Sequence, residues 1–131
     1  MADAERLLRR AVALSPGNAN VRSELAQTLI LRKKLDEADA QLDLALDVSI
    51  SSCHTAVLWR KRGYILFDRG KLVDSYRAYA RSLEFDPKNA IALKEMQLIV
   101  NTLRAAGGFD EKALKSFTPP PPGKLTVTNC P

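Results

Sequence analysis

Histidine and tryptophan each occur once in these 131 residues and cysteine only twice, and these scarcities remove several chemistries at the outset. A structural zinc takes four Cys or His ligands, so Cys53, His54 and Cys130 cannot complete a set. Two cysteines are also too few for the disulfide framework of a small secreted domain, and both read as ordinary thiols. Catalysis needs a nucleophile beside a base, or paired carboxylates in a pocket. Here His54 is the only imidazole, and Asp36, Glu37 and Asp39 cluster at an expected helix start, where acids suit the helix dipole. No enzyme, cofactor or metal site is expected.

No apolar run approaches the ~20 residues of a membrane span, and the start lacks the apolar core of a signal peptide. These features point to a cytoplasmic protein, the alternative being a piece of a longer periplasmic or membrane-anchored repeat protein. Aromatic residues make up 6% of the chain against 46% for all apolar types, while Ala, Leu, Arg and Asp recur. That mix suits helices, because Ala and straight-chain residues lose little freedom on entering one. The net charge of +5 permits an acidic partner. Spread over several helices, it also describes a solvated surface.

The chain contains an internal period. Ala4, Leu8 and Ala11 recur as Ala38, Leu42 and Ala45 at a spacing of 34 residues. At a spacing of 37, Leu25, Ala26, Ala38, Leu42 and Ala45 answer to Arg62, Gly63, Ser75, Tyr79 and Ser82. The three additional residues fall around Ser52-Cys53-His54-Thr55, read as a loop. Leu14-Ser15-Pro16-Gly17-Asn18-Ala19 also has a counterpart in Phe85-Asp86-Pro87-Lys88-Asn89-Ala90.

Trp59, Gly63, Leu66, Gly70, Tyr79 and Pro87, within residues 56–89, resemble the tetratricopeptide repeat pattern. Leu25, Ala26, Leu29, Leu35, Ala38 and Ala45 carry the same resemblance across residues 19–52. Three positions depart from it: Arg62 stands for a Leu, Lys33 for a Gly, and Ile50 for the closing Pro. The resemblance implies an all-α chain built as a right-handed α-α superhelix, a solenoid with a concave inner face. Residues 1–18 read as a half-unit, 19–52 and 56–89 as full units and 90–106 as a following helix. A short helix over 110–117, with Leu114 and Phe117 packing on the end of the array, would complete a domain of residues 1–117. The helices are expected near 3–14, 20–33, 36–48, 56–69, 72–85 and 89–105, with Asn18 and Asn89 as caps and Gly107-Gly108 as a stop. Residues 118–131 form a Pro-rich extended tail. Its Pro119–Pro122 run is either a polyproline ligand or a stiff spacer.

What the resemblance implies about function is protein–protein interaction, as an adaptor or scaffold. In this family the first helix of each unit lines the concave face with its second, fifth, ninth and twelfth residues. Those are Asn20, Ser23, Gln27 and Ile30, then Val57, Arg60, Tyr64 and Phe67, then Ile91, Lys94, Leu98 and Asn101. The expected peptide-binding groove is therefore Gln27, Arg60, Tyr64, Phe67, Lys94, Leu98 and Asn101. Arg60 and Lys94 suit the carboxylates of an acidic partner, and Tyr64 suits stacking. A chaperone-tail clamp would want Lys and Asn where Ser23 and Gln27 stand, so that resemblance fails.

Arg60, Lys61 and Arg62 point in different directions on a helix, and no aromatics interleave with them, so nucleic-acid binding is not expected. The first helix lacks a covering partner for Leu7, Leu8, Val12 and Leu14. Self-association of uncovered ends through Leu7, Leu8 and Val12, giving a homodimer, is the alternative function.

Overall fold

The computed structural model describes residues 2–115 and Cys130. Every regular element among them is an α-helix, as the repeat pattern requires: α1 (Ala2–Leu14), α2 (Ala19–Leu31), α3 (Leu35–Val48), α4 (Ser52–Asp68), α5 (Leu72–Phe85), α6 (Ala90–Ala106) and α7 (Glu111–Lys115). They form two compact units, Met1–Ile50 and Ser51–Pro131.

In the first unit α2 and α3 make a helical hairpin with α1 packed against α2. Asn18 caps α2 by accepting from the Val21 N–H at 3.2 Å, which satisfies one of the donors a helix start leaves open. The turn closes with Lys33 N–H to Ile30 C=O (2.9 Å) and Lys34 N–H to Leu29 C=O (2.8 Å). It puts Lys33 at φ 62°, the left-handed conformation its glycine counterpart Gly70 takes at φ 77°. Leu25, Leu29 and Leu42 fill the interior, and Ala26, Ala38 and Ala45 let the helix axes approach, all of them buried.

The edge helix is held differently. The one buried residue of α1 is Glu5. Its carboxylate accepts from Arg9 Nε at 3.1 Å, Arg32 Nη1 at 2.7 Å and Lys34 Nζ at 3.1 Å. Arg32 and Lys34 come from the α2–α3 turn, and Arg9 reaches on to Glu37 of α3 at 3.1 Å. A buried carboxylate is tolerated only when paired, and this one has three cations. The Lys34 hydrogen bond, helped by Arg9 and Arg32, outweighs desolvation and holds the Glu5 pKa at about 2.

The second unit is a hairpin of α4 and α5 with α6 packed on α5. Gly63 is required here: a Cβ at that position would stand 2.7 Å from the Tyr79 ring. Ser75 Oγ donates to the Gly63 carbonyl at 2.7 Å and Ser82 Oγ to the Tyr79 carbonyl at 2.6 Å, so both buried hydroxyls are satisfied inside the hairpin. Asn89 caps α6 through the Ala92 N–H at 2.9 Å, and α6 stops at Gly107 and Gly108, with φ of 75° and 74°. Tyr76, Tyr79, Ala92, Ile99, Val100 and Leu114 form one buried cluster. Leu114 of α7 enters it as expected, and Glu111 holds α7 by accepting from Arg104 Nε at 2.9 Å and pairing with Lys115 at 2.9 Å. Phe117 and the Pro119–Pro122 run lie outside the described residues.

Two readings are corrected. Ser52-Cys53-His54-Thr55 is not a loop but the first turn of α4. Ser51 caps it by accepting from the His54 N–H at 3.3 Å, and Thr55 Oγ1 donates to the Ser51 carbonyl at 2.8 Å. The cysteines are not ordinary thiols either: Cys53 and Cys130 are joined in a disulfide, with Cα atoms 5.4 Å apart. The bond spans 77 residues in sequence, and closing so long a loop restricts the unfolded chain by about 4–5 kcal/mol.

Two outcomes follow from this packing. Gly63→Ala should destabilise the second unit by about 1–3 kcal/mol, because the buried Tyr79 ring has nowhere to go; the midpoint of urea unfolding measures it. The Glu5 clamp sets a pH window. Since the folded pKa of about 2 lies below the ordinary value near 4.3, its contribution is fully present above pH ~4.3 and is lost as pH falls through 2. The protection of α1 amides, measured against their intrinsic exchange rates at each pH, should therefore fall across that interval in the wild-type chain, and Glu5→Gln should show low protection already at pH 7.

Candidate functional site

Along α4 the residues Cys53, Val57, Arg60, Tyr64 and Phe67 recur at four- and three-residue steps, which places them on one side of the helix. On α6 the same holds for Ile91, Lys94, Leu98 and Asn101. The second unit holds both stripes, and they differ in how much of each side chain is open.

The α6 stripe is exposed throughout: Ile91 at 61%, Leu98 at 47%, and Lys94 and Asn101 likewise open. Asn101 Oδ1 accepts from Gln97 Nε2 at 2.9 Å. On α4, Tyr64 is 46% exposed, whereas Phe67 is half-buried against the Tyr76–Tyr79–Ile99 cluster. The Tyr79 side chain links the helices electrostatically. Burial, together with the charges of Glu95 and Tyr64, pushes its pKa up to about 12 against the opposing effect of Arg60. Tyr79 is thus a neutral phenol at physiological pH, set between groups from α4 and α6.

Arg60 is already engaged. Its side chain is 17% exposed and its Nη1 donates to Asp86 Oδ2 at 3.4 Å. The same oxygen accepts from Asn89 Nδ2 at 3.0 Å, so a polar chain runs from α4 through Asp86 to the cap of α6. Burial lowers the Arg60 pKa and Asp86 opposes that shift. A ligand carboxylate would meet a guanidinium that shares its charge with Asp86. The adjacent basic residues diverge as expected of consecutive helical positions, and the Arg62 guanidinium lies 5.4 Å from the Trp59 ring centre.

Arg60 and Val57 also line a recess of about 310 Å³ with Ser51, Cys53, His54, Asp86 and Cys130. Cys130 lies against the Phe85 carbonyl, with Sγ 3.7 Å from the oxygen. Burial, with the positive charge of Lys61, lowers the His54 pKa and favours the neutral imidazole. Periodicity missed Cys130 and Asp86, both distant from Val57 in sequence. Cys53 was findable, because it precedes Val57 by four residues on the same stripe.

In the first unit the expected groove positions fare worse. Ser23 and Ile30 are buried and line no surface, since α2 is covered by α1 on one side and α3 on the other. Gln27 is half-buried, and Asn20 is exposed. Of the expected self-association residues, Leu7 is 60% exposed, and Leu8 and Val12 are half-buried. Among the described residues no cluster of three or more His, Cys, Asp or Glu could hold a metal ion, and no helix is long and apolar enough to cross a membrane.

A family model described as tetratricopeptide repeat matches residues 1–48, so the likeness to that family covers the α1–α3 unit. No curated protein and no solved structure was found to match the chain. The matched segment is the Ala-rich half, not the segment with the Trp59-Gly63-Pro87 signature.

Proposed function

We propose that this tetratricopeptide-type helical array is a protein–protein interaction module that takes a partner segment on the α4–α6 face of its second unit. The family relationship supports the general role, since such repeats act as interaction modules. The observation that carries the specific reading is the exposed stripe on α6. Ile91 and Leu98 are large apolar residues left open beside Lys94 and Asn101, while Ile99 and Val100 on the opposite side are fully buried. With Tyr64 on α4, the face offers apolar anchors, one ammonium, one phenol and one amide. That combination suits an extended or helical segment with apolar side chains and a carboxylate for Lys94.

Peptides selected from a displayed random library on the full chain provide the test. Tyr64→Ala, Lys94→Ala and Leu98→Ala remove exposed side chains and leave the buried cluster intact. The double variant Tyr64→Ala with Leu98→Ala should weaken the selected peptides by tenfold or more, about 1.4 kcal/mol. Unchanged affinity would place recognition on another surface.

A second reading has its own observation. On α1, Leu7 and Leu14 are 60% and 84% exposed, and the helix buries only Glu5. Apolar side chains left open along a helix are a surface for a second copy. Light scattering over a concentration series should then show a dimer that Leu8→Glu with Val12→Glu abolishes. A monomer of 14.5 kDa at every concentration removes this reading.

A further inference from the structure

The α4–α5 hairpin holds another recess, of about 420 Å³, that shares no residue with the α4–α6 face. Trp59 and Leu66 of α4 and Ala78 of α5 give it an apolar floor, and Arg62, Arg77 and Arg81 stand around it with Asp74. The Arg62 and Arg81 guanidiniums lie 5.4 and 5.7 Å from the Trp59 ring centre, which holds them at the edge of the recess. Asp74, and Glu84 paired with Arg81, are the acids that answer these cations. Paired charges still count in the field of a surface, so three arginines against two acids leave the rim positive. Arg62 stands where the repeat pattern has Leu, and that departure supplies the balance.

A surface of the opposite kind lies on α3 of the same chain. That helix contains Asp36, Glu37, Asp39, Asp43 and Asp47 and no lysine or arginine. Arg9 of α1 engages Glu37, and the balance of the helix stays negative. Ala40, Leu44 and Val48 follow one another by single turns and share a side, with Asp36, Asp43 and Asp47 running beside them. All six are exposed, Leu44 at 44% and Val48 at 38%, while Ala38, Leu42 and Ala45 on the other side are buried in the hairpin with α2. Leu44 and Val48 stand about 6 Å apart along the helix axis, and the recess from Trp59 to Leu66 runs about 10 Å.

We propose that α3 of one copy of this chain docks in the α4–α5 recess of a second copy. Leu44 and Val48 enter over Trp59, Leu66 and Ala78, and Asp43 and Asp47 face Arg62 and Arg77. An amphipathic helix laid in an apolar groove buries its anchors at one-turn spacing, and opposite charge along the two edges sets its register. The occupant is a second copy because the chain itself carries the complement in charge, polarity and length. The contact joins two different surfaces, so every copy brings both halves of it. It rests on neither the α4–α6 face nor the α1 surface.

Trp59 is the only tryptophan of the chain, so its fluorescence reads the recess without any substitution. In a dilution series of the full wild-type chain, concentrated samples should emit at shorter wavelength and resist acrylamide quenching. Both effects should fade on dilution as the indole returns to water, and added salt should shift the change to higher concentration. Emission that is the same at every concentration overturns the inference, and leaves the recess to an acidic helix of a different protein. Charge reversal supplies the pairing. Asp43→Arg/Asp47→Arg alters one surface and Arg62→Glu/Arg77→Glu the other. Each variant alone should self-associate at least tenfold more weakly than wild type in light scattering. An equimolar mixture of the two should associate again, since each surface then meets its complement. A mixture that stays monomeric while both variants keep their helical circular dichroism overturns the pairing of α3 with the recess. Leu8→Glu/Val12→Glu should leave the Trp59 response unchanged, and its loss in that variant would assign the association to α1 and overturn this contact.

Discussion

The Tyr79 ring resting on the bare backbone of Gly63 is the contact on which the second unit depends. With no side chain at Gly63, α4 and α5 approach closely enough for Ser75 to reach the Gly63 carbonyl, so the tightest point of the hairpin is also hydrogen-bonded. The ring then does two things at once. It belongs to the cluster that receives Ala92, Ile99 and Val100 of α6. Its hydroxyl end lies within the electrostatic reach of Arg60, Tyr64 and Glu95, and burial keeps it neutral. The position of α6 relative to α4, and with it the spacing between the Tyr64 and Lys94–Leu98 parts of the proposed face, follows from where that ring sits.

The two units meet the same steric requirement with different chemistry. In the first, three alanines occupy the crossing points. In the second, Gly63, Ser75 and Ser82 take the equivalent places, and each serine hydroxyl finds a carbonyl within the hairpin. At their outer helices both units turn from packing to charge. Glu5 ties α1 to the α2–α3 turn, and Glu111 ties α7 to α6 through Arg104, with each glutamate held at a pKa of about 2 by the cations that bond it. Short or half-covered helices bury too little apolar surface to be fixed by it alone, and ion pairs supply the orientation.

Much of this was legible in the residues because it is local or periodic. Recurrence of Ala26, Ala38 and Ala45 as Gly63, Ser75 and Ser82 marks crossing points, since only small residues fit there. Asn18, Asn89 and the Gly107-Gly108 pair act within a turn of where they stand, so the helix limits near them were readable. Long-range pairing was not. Nothing in the spacing of Arg60 announces Asp86, and nothing in a pair of cysteines 77 residues apart distinguishes two thiols from one bond. Ser23 and Ile30 were assigned to a surface by their register on α2, but burial depends on how many neighbours a helix has, and α2 has one on each side.

The three residues that lengthen the repeat spacing carry the main difference between the units. Read as a loop, they would have no bearing on recognition. They form instead an added turn at the start of α4, made possible by Ser51 as cap and Thr55 bonding back to it, and the helix reaches 17 residues where α2 has 13. That turn extends the Val57–Arg60–Tyr64 stripe backwards by one step and puts a cysteine on it. Had α4 begun near residue 56, Cys53 would lie off the helix. The departure from a regular repeat is thus what puts Cys53 on the side of α4 that carries Val57, Arg60 and Tyr64. A stable disulfide belongs to oxidising surroundings and an open one to reducing surroundings.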